Sequence, residues 1–222
     1  MKHVVIGASG GIGAALADEF EARGHRVQRI SRQGNPWIDL LSEKSIEMAA
    51  AQVHPDLEMV IDATGFLHGD GYLPEKSLSQ LTANGLEKNF AVNTIGPALI
   101  MKHFLPKLSR SQRAVFATLS ARVGSISENE LGGWYGYRAS KAALNQLVRT
   151  AAIEMKRKNK FAICVALHPG TVDTALSAPF RRSGLEVQSV QNCAGLLVGV
   201  LEQLSSDDSG FLIDHCGIRI PF

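Results

Sequence analysis

Val4-Val5-Ile6-Gly7-Ala8-Ser9-Gly10-Gly11-Ile12-Gly13 passes from a short β-branched run straight into a glycine cluster and then into helix-forming sequence. Glycine is required where the backbone turns tightly or must come close to a pyrophosphate, and a helix starting there offers free N–H groups and the positive end of its dipole. The stretch therefore reads as strand, phosphate-binding loop and helix, with Gly7, Ser9, Gly11, Ile12 and Gly13 as candidate contacts to a dinucleotide. Its spacing is G-x-x-x-G-x-G rather than the commoner G-x-G-x-x-G. The competing reading is a tight turn without a ligand.

Outward from this loop, short runs rich in Val, Ile and Phe alternate with helical patterns. Val4–Ile6, Val27–Ile30, Leu57–Ile61, Ala114–Leu119, Phe161–Leu167 and Phe211–Ile213 are candidate strands. Helices are expected over about 12–23, 43–53, 78–107, 134–158 and 189–205. In the fourth of these, Leu144, Leu147, Val148, Ala151 and Met155 form one apolar stripe. Strands alternating with helices build right-handed βαβ units, so the expectation is an α/β protein with a doubly wound, Rossmann-like parallel sheet covered on both faces. Without an internal repeat or a Pro/Gly/Ser-rich linker, residues 1–222 read as one domain.

Composition narrows the function classes. The 23 basic and 21 acidic residues leave a formal charge of +2, unlike the strongly basic balance of a domain that clamps nucleic acid. Cys164, Cys193 and Cys216 are odd in number and lack CxxC spacing, which suits reduced thiols and a cytoplasmic location. No apolar run has the length of a signal peptide core or a membrane span, and no His/Cys cluster has zinc-ligand spacing. Nucleic-acid, membrane and metal partners are not expected.

Two further sites carry chemistry. At the end of the second strand, where an acid would bind the ribose 2′-hydroxyl of NAD, Ser31-Arg32 offers a hydroxyl and a fixed cation suited to a 2′-phosphate. NADP is thus preferred over NAD. Tyr137 and Lys141 stand four residues apart at the start of a helix, so they share a face and can meet over one small molecule. A phenol titrates near ~10, and a neighbouring cation is expected to lower that value, which makes Tyr137 the candidate acid.

With Gly7-x-x-x-Gly11-x-Gly13 at one end and Tyr137-x-x-x-Lys141 further on, the chain resembles the short-chain dehydrogenase/reductase family over nearly its whole length. Gly132-Gly133-Trp134-Tyr135-Gly136-Tyr137-Arg138-Ala139-Ser140-Lys141 is most similar to the branch of C-factor signalling proteins and sniffer-type carbonyl reductases. The resemblance implies that Asp39-Leu40 holds adenine and that Asp62-Ala63-Thr64-Gly65 is a variant of an Asn-Asn-Ala-Gly strand end, with Ala63 and Gly65 against the cofactor. It implies that Lys141 hydrogen-bonds the nicotinamide ribose, and that Val172 and Thr174 in Pro169-Gly170-Thr171-Val172-Asp173-Thr174 lie by its carboxamide. It also carries the expectation of a homodimer or homotetramer, paired through the helices at 78–107 and 134–158.

Asn93 falls where the family has its helix asparagine. Pro97 has no N–H for the Asn93 carbonyl, which is then free to hold a water leading to Lys141; a simple packing kink is the rival. The carbonyl-polarising serine of the family would fall three residues before Gly124, where the chain has Ala121. Ser120 takes the role by a one-residue shift, with Ser125 in reserve. Residues 175–188 suit a substrate flap, on which Arg181 and Arg182 read either as greeting an anionic substrate or as solvated charges. Trp134 and Tyr135 are expected to line or pack against the pocket. The implied activity is NADP-dependent hydride transfer to or from a small carbonyl or alcohol. A cofactor-binding sensor with little turnover and a structural subunit of the same fold are the alternatives.

Overall fold

A computed structural model describes residues 2–69, 71–180 and 186–222. Its first strands are four residues each: β1 (His3–Ile6) and β3 (Met59–Asp62), mostly apolar and wholly buried, and β2 (Val27–Ile30), whose half-buried Gln28 and Arg29 suit its place at the sheet edge. With β4 (Ala114–Leu119), β5 (Ala162–His168), β6 (Leu212–Asp214) and β7 (Arg219–Ile220) they form a sheet of order β2-β1-β3-β4-β5-β6-β7. The first six run parallel. β7 was not expected from sequence; it is two residues long and hydrogen-bonds antiparallel to β6 after the turn at Gly217.

Alternation along the strands sends side chains to two cores. Val4, Ile6, Val60 and Phe116 face α2 (Glu43–Ala51), α4 (Gly96–Phe104) and α5 (Tyr135–Lys158). Val5, Ile61, Val115 and Val165 face α1 (Gly11–Ala22) and α6 (Val190–Gln203). Both faces are therefore covered, as a parallel sheet requires. The chain leaves β1 for one neighbour and later returns to the other, so β1 and β3 flank a topological switch point, the crevice where open α/β sheets bind ligands.

The long helix expected over 78–107 is broken. Thr82 caps α3 (Ala83–Phe90) by accepting from the Gly85 N–H, and a 3-10 turn at Leu78–Gln80 precedes it. Residues Ala91–Ile95 then widen into a π-turn, closed by Gly96 N–H donating to the Ala91 carbonyl. Pro97, which has no N–H to donate, follows directly in α4, and Ile95 and Gly96 before it keep helical φ/ψ, so the helix continues through the turn with one donor missing. Among the described residues no helix is long and apolar enough to cross a membrane, and no group of three or more His, Cys, Asp or Glu could hold a metal ion.

Candidate active site

The turn after β1 is dictated by contact distance. Gly7 has φ +81°, and a Cβ there would lie 3.0 Å from the Ala63 carbonyl carbon and oxygen. At Gly13 a Cβ would stand 2.3 Å from the Gly7 carbonyl oxygen, so no side chain fits while α1 keeps its place. The loop is tied to β2 by Gly7 and Ala8 N–H groups donating to Ile30 O at 2.9 and 3.2 Å. Helices α2, α3 and α6 begin with Ser42, Thr82 and Ser189 caps, whereas α1 begins at Gly10 with no side-chain cap and no acid in its first turn. Its first N–H groups thus face outward beside exposed Ser9 and half-buried Ile12, as an anion site needs.

At the end of β2, Ser31 is buried and its hydroxyl accepts from Gln33 N–H, while Arg32 is exposed and forms no ion pair among the described residues. The Asp39 carboxylate accepts from its own Leu41 N–H at 3.0 Å, a local turn that fixes its orientation. Leu40 packs on α4: a Cβ on Gly96 would be 2.9 Å from that of Leu40.

The end of β3 holds a fully buried acid. Asp62 accepts from Thr64 N–H at 3.1 Å, Thr64 hydroxyl at 2.6 Å and Thr118 hydroxyl at 2.8 Å. Burial pushes its carboxyl above the usual range, against the pull of these bonds and of nearby Lys141. Beyond it, the Asn93 amide accepts from Phe66 N–H and donates to Phe66 O, both at 2.8 Å. Gly65 lies open between, its absent Cβ 3.7 Å from Asn93 Oδ1 and 3.9 Å from Lys141 Nζ.

Lys141 is only 2% exposed and donates to the Leu119 carbonyl at 2.8 Å. Burial lowers it to about 8, with Asp62 opposing the fall. Tyr137, one helical turn earlier, is also buried, with Lys141 Nζ 5.9 Å from its ring centroid. Its phenol is pushed up to about 12 by burial, opposite to the expected depression. The Trp134 ring lies 6.1 Å from that of Tyr137 and 5.1 Å from Phe180, whereas Tyr135 is exposed.

On the serine side both hydroxyls have partners of their own. Ser120 is buried, and its hydroxyl donates to Asn145 Oδ1 at 2.7 Å. Asn145 lies two turns beyond Tyr137, about 12 Å along the helix. Ser125 accepts from Glu128 N–H and meets the Ser127 hydroxyl. Among the described residues neither serine hydroxyl has a hydrogen bond to Tyr137. Gly124 brings this segment onto α5, for a Cβ there would be 2.9 Å from Lys141 backbone and side-chain carbons. Asn145 was overlooked in the sequence, although it continues the Tyr137–Lys141 face at the same spacing of four.

After β5, the Pro169 carbonyl accepts from Gln188 Nε2 at 2.7 Å, and Val172 is buried with its carbonyl taken by the Ser177 hydroxyl. The Thr174 methyl lies where a Gly11 Cβ would stand 3.1 Å away, so this segment faces the glycine loop. His168 is lowered to about 4, chiefly by burial. Of the expected flap, Ala178–Phe180 forms a 3-10 turn and Val172 bridges Gln188; Arg181 and Arg182 lie outside the described residues.

Gly7, Ser31, Ala63, Ser120 and Pro169 all follow carboxyl ends of parallel strands, so one edge of the Rossmann-like sheet gathers the expected groups. The chain belongs to the short chain dehydrogenase family, whose sequence model matches residues 2–184. It is 31% identical over 137 residues to C-signal of Myxococcus xanthus, covering 62% of this chain and 78% of that protein. The NADPH-bound carbonyl reductase from chicken fatty liver matches with 25% identity and a TM-score of 0.86, over 100% of this chain and 99% of that one. Carbonyl reductase Sniffer of D. melanogaster shares the fold at 21% identity and a TM-score of 0.86, both chains covered in full. The resemblance to the C-factor and sniffer branch is thus met by both sequence and fold.

Proposed function

We propose that this protein is an NADP-dependent oxidoreductase that transfers a hydride between the nicotinamide and a small carbonyl or alcohol, with Tyr137 as acid/base. The observation that carries it is the pair Tyr137 and Lys141, buried one turn apart beside the open face of Gly65. The glycine cradle fits the cofactor: Gly7, Ser9, Gly11, Ile12 and Gly13 would hold its pyrophosphate, Ser31 and Arg32 its 2′-phosphate, Asp39 and Leu40 its adenine. Ala63, Gly65, Lys141, Pro169, Val172 and Thr174 would hold the nicotinamide half. The NADPH of the chicken reductase supports the choice of cofactor.

When bound, the nicotinamide supplies the hydride, and the proton must come from the protein. A phenol raised to about 12 stays protonated across the neutral range, so Tyr137 is held ready to donate to a substrate oxygen. Lys141 is an ammonium below about 8 and favours the phenolate left behind. Asn93 acts in this reading through its main-chain carbonyl, as the start of a water route to Lys141, and through its amide, as the clamp on Phe66. Asn93→Ala removes only the second.

The test is NADPH consumption over a panel of small aldehydes and ketones by the wild type and Tyr137→Phe, with cofactor binding followed by nicotinamide fluorescence. Turnover that disappears in Tyr137→Phe while binding persists supports the enzyme. The commitment of Ser120 to Asn145 and the likeness to C-signal favour a second reading, a cofactor-binding sensor. Cofactor binding without turnover on any substrate of the panel would select it.

A further inference from the structure

The helix that carries Tyr137 and Lys141 lacks a cap of its own. Trp134, at its N-cap position, has φ +52° and makes no capping side-chain bond, and Gly132 and Gly133 before it also have positive φ. The first N–H groups of a helix have no partner within it and need one from elsewhere. Here they find Glu75, on a segment far away in sequence.

Glu75 is 2% exposed. Its carboxylate Oε2 accepts from Gly136 N–H at 3.1 Å, and its main-chain carbonyl accepts from Trp134 N–H at 2.5 Å. Oε1 accepts from the Tyr72 hydroxyl at 2.8 Å, and the Tyr72 oxygen in turn accepts from Asn89 Nδ2 at 2.9 Å. Asn93 Nδ2 donates to Asn89 Oδ1 at 3.3 Å, so the chain of bonds reaches the clamp on Phe66. Tyr72 is raised to about 12 by burial and by Glu75, which keeps it a donor. Two of these donors, Gly136 N–H and the Tyr72 hydroxyl, meet on one carboxylate at the positive end of α5, the arrangement a helix dipole favours. The fit is close: a Cβ on Gly136 would be 3.1 Å from both Glu75 Oε1 and Asn89 Nδ2.

We propose that Glu75 is a positioning residue for the proton donor: by holding Trp134 and Gly136 it fixes the first turn of α5, and with it the place of Tyr137. This rests on the proposed oxidoreductase activity. A misplacement of about 1 Å can cost about 10²-fold in rate, so a loosened first turn lowers kcat rather than cofactor affinity. Glu75→Gln keeps an oxygen for Gly136 and requires only that the Tyr72 hydroxyl turn to accept the amide N–H, whereas Glu75→Ala keeps no side-chain partner for either.

The test uses the full chain and two readouts, amide hydrogen exchange over 134–137 and steady-state NADPH kinetics on whichever carbonyl the panel yields. Glu75→Ala is expected to speed exchange in that segment by about tenfold or more without changing it beyond Ser140, and to lower kcat about tenfold or more. KM for NADPH should stay within about twofold, and Glu75→Gln should track the wild type in both readouts. Unchanged exchange in Glu75→Ala, or loss of cofactor affinity in step with kcat, overturns the proposal. If the wild type turns over nothing, the oxidoreductase reading fails, and exchange alone still decides whether Glu75 holds the turn.

Discussion

The turn after β1 works through its main chain, whereas the turn after β4 works through side chains. Both are pressed onto a neighbour by glycine: a Cβ at Gly13 would meet the Gly7 carbonyl, and one at Gly124 would meet Lys141. Beyond that they diverge. The first presents backbone N–H groups at a helix end that no side chain caps. The second presents hydroxyls whose direction depends on register, and a shift of one residue along an extended strand sends a side chain to the opposite face. Ser120 accordingly turns into α5 toward Asn145. A main-chain site is thus set by spacing alone, whereas a side-chain site also needs a direction.

The largest expected effect is on the side-chain half. Tyr137→Phe should lower turnover by about 10²–10⁴-fold with cofactor binding intact, as loss of a positioned acid does. Equal loss of binding would mean that the phenol serves the cofactor pocket instead. On the main-chain half, Gly13→Ala should cost about 1–3 kcal/mol or more of stability by overpacking, and weaken cofactor binding with it. Thermal unfolding and nicotinamide fluorescence measure the two, and a wild-type result in both would break the contrast. Arg32→Ala should weaken NADP binding about tenfold or more and leave NAD binding nearly unchanged, as removal of a charged contact to a 2′-phosphate predicts.

Ser120→Ala probes the divergence itself. Burying Asn145 without this partner should cost about 1–3 kcal/mol, while turnover stays within about tenfold. A much larger kinetic loss, absent in Ser125→Ala, would support Ser120 as the carbonyl polariser. The smallest effect concerns pH. With Lys141 lowered to about 8, the unfolded chain binds more protons above that value, so stability rises from about pH 8 toward the ordinary lysine range. Turnover that needs the ammonium should fall across the same window. Asp62→Asn removes the carboxylate that holds Lys141 up and should move the alkaline limb of the rate profile to lower pH.

This contrast also marks what the sequence could convey. Alternating strands and helices, the glycine spacing and the Tyr137–Lys141 interval are local and periodic, so the fold and this pair could be read directly. β7 was too short for any period, and the stretch read as one helix over 78–107 contains a Thr82 cap and a π-turn that divide it. Tyr137 was expected to titrate low because its cation is close in sequence, but the phenol's burial is a tertiary fact. Glu75 left no signal, for it lies in a separate segment of chain from the helix it touches.

The paired bonds between Asn93 and Phe66 reproduce what a neighbouring β-strand would offer, one acceptor and one donor to a single residue. A lone amide thus satisfies both main-chain polar groups of one loop residue four positions past the end of β3. Polar groups that would otherwise need water are settled within the protein, and the exposed face of Gly65 is left to whatever binds against it.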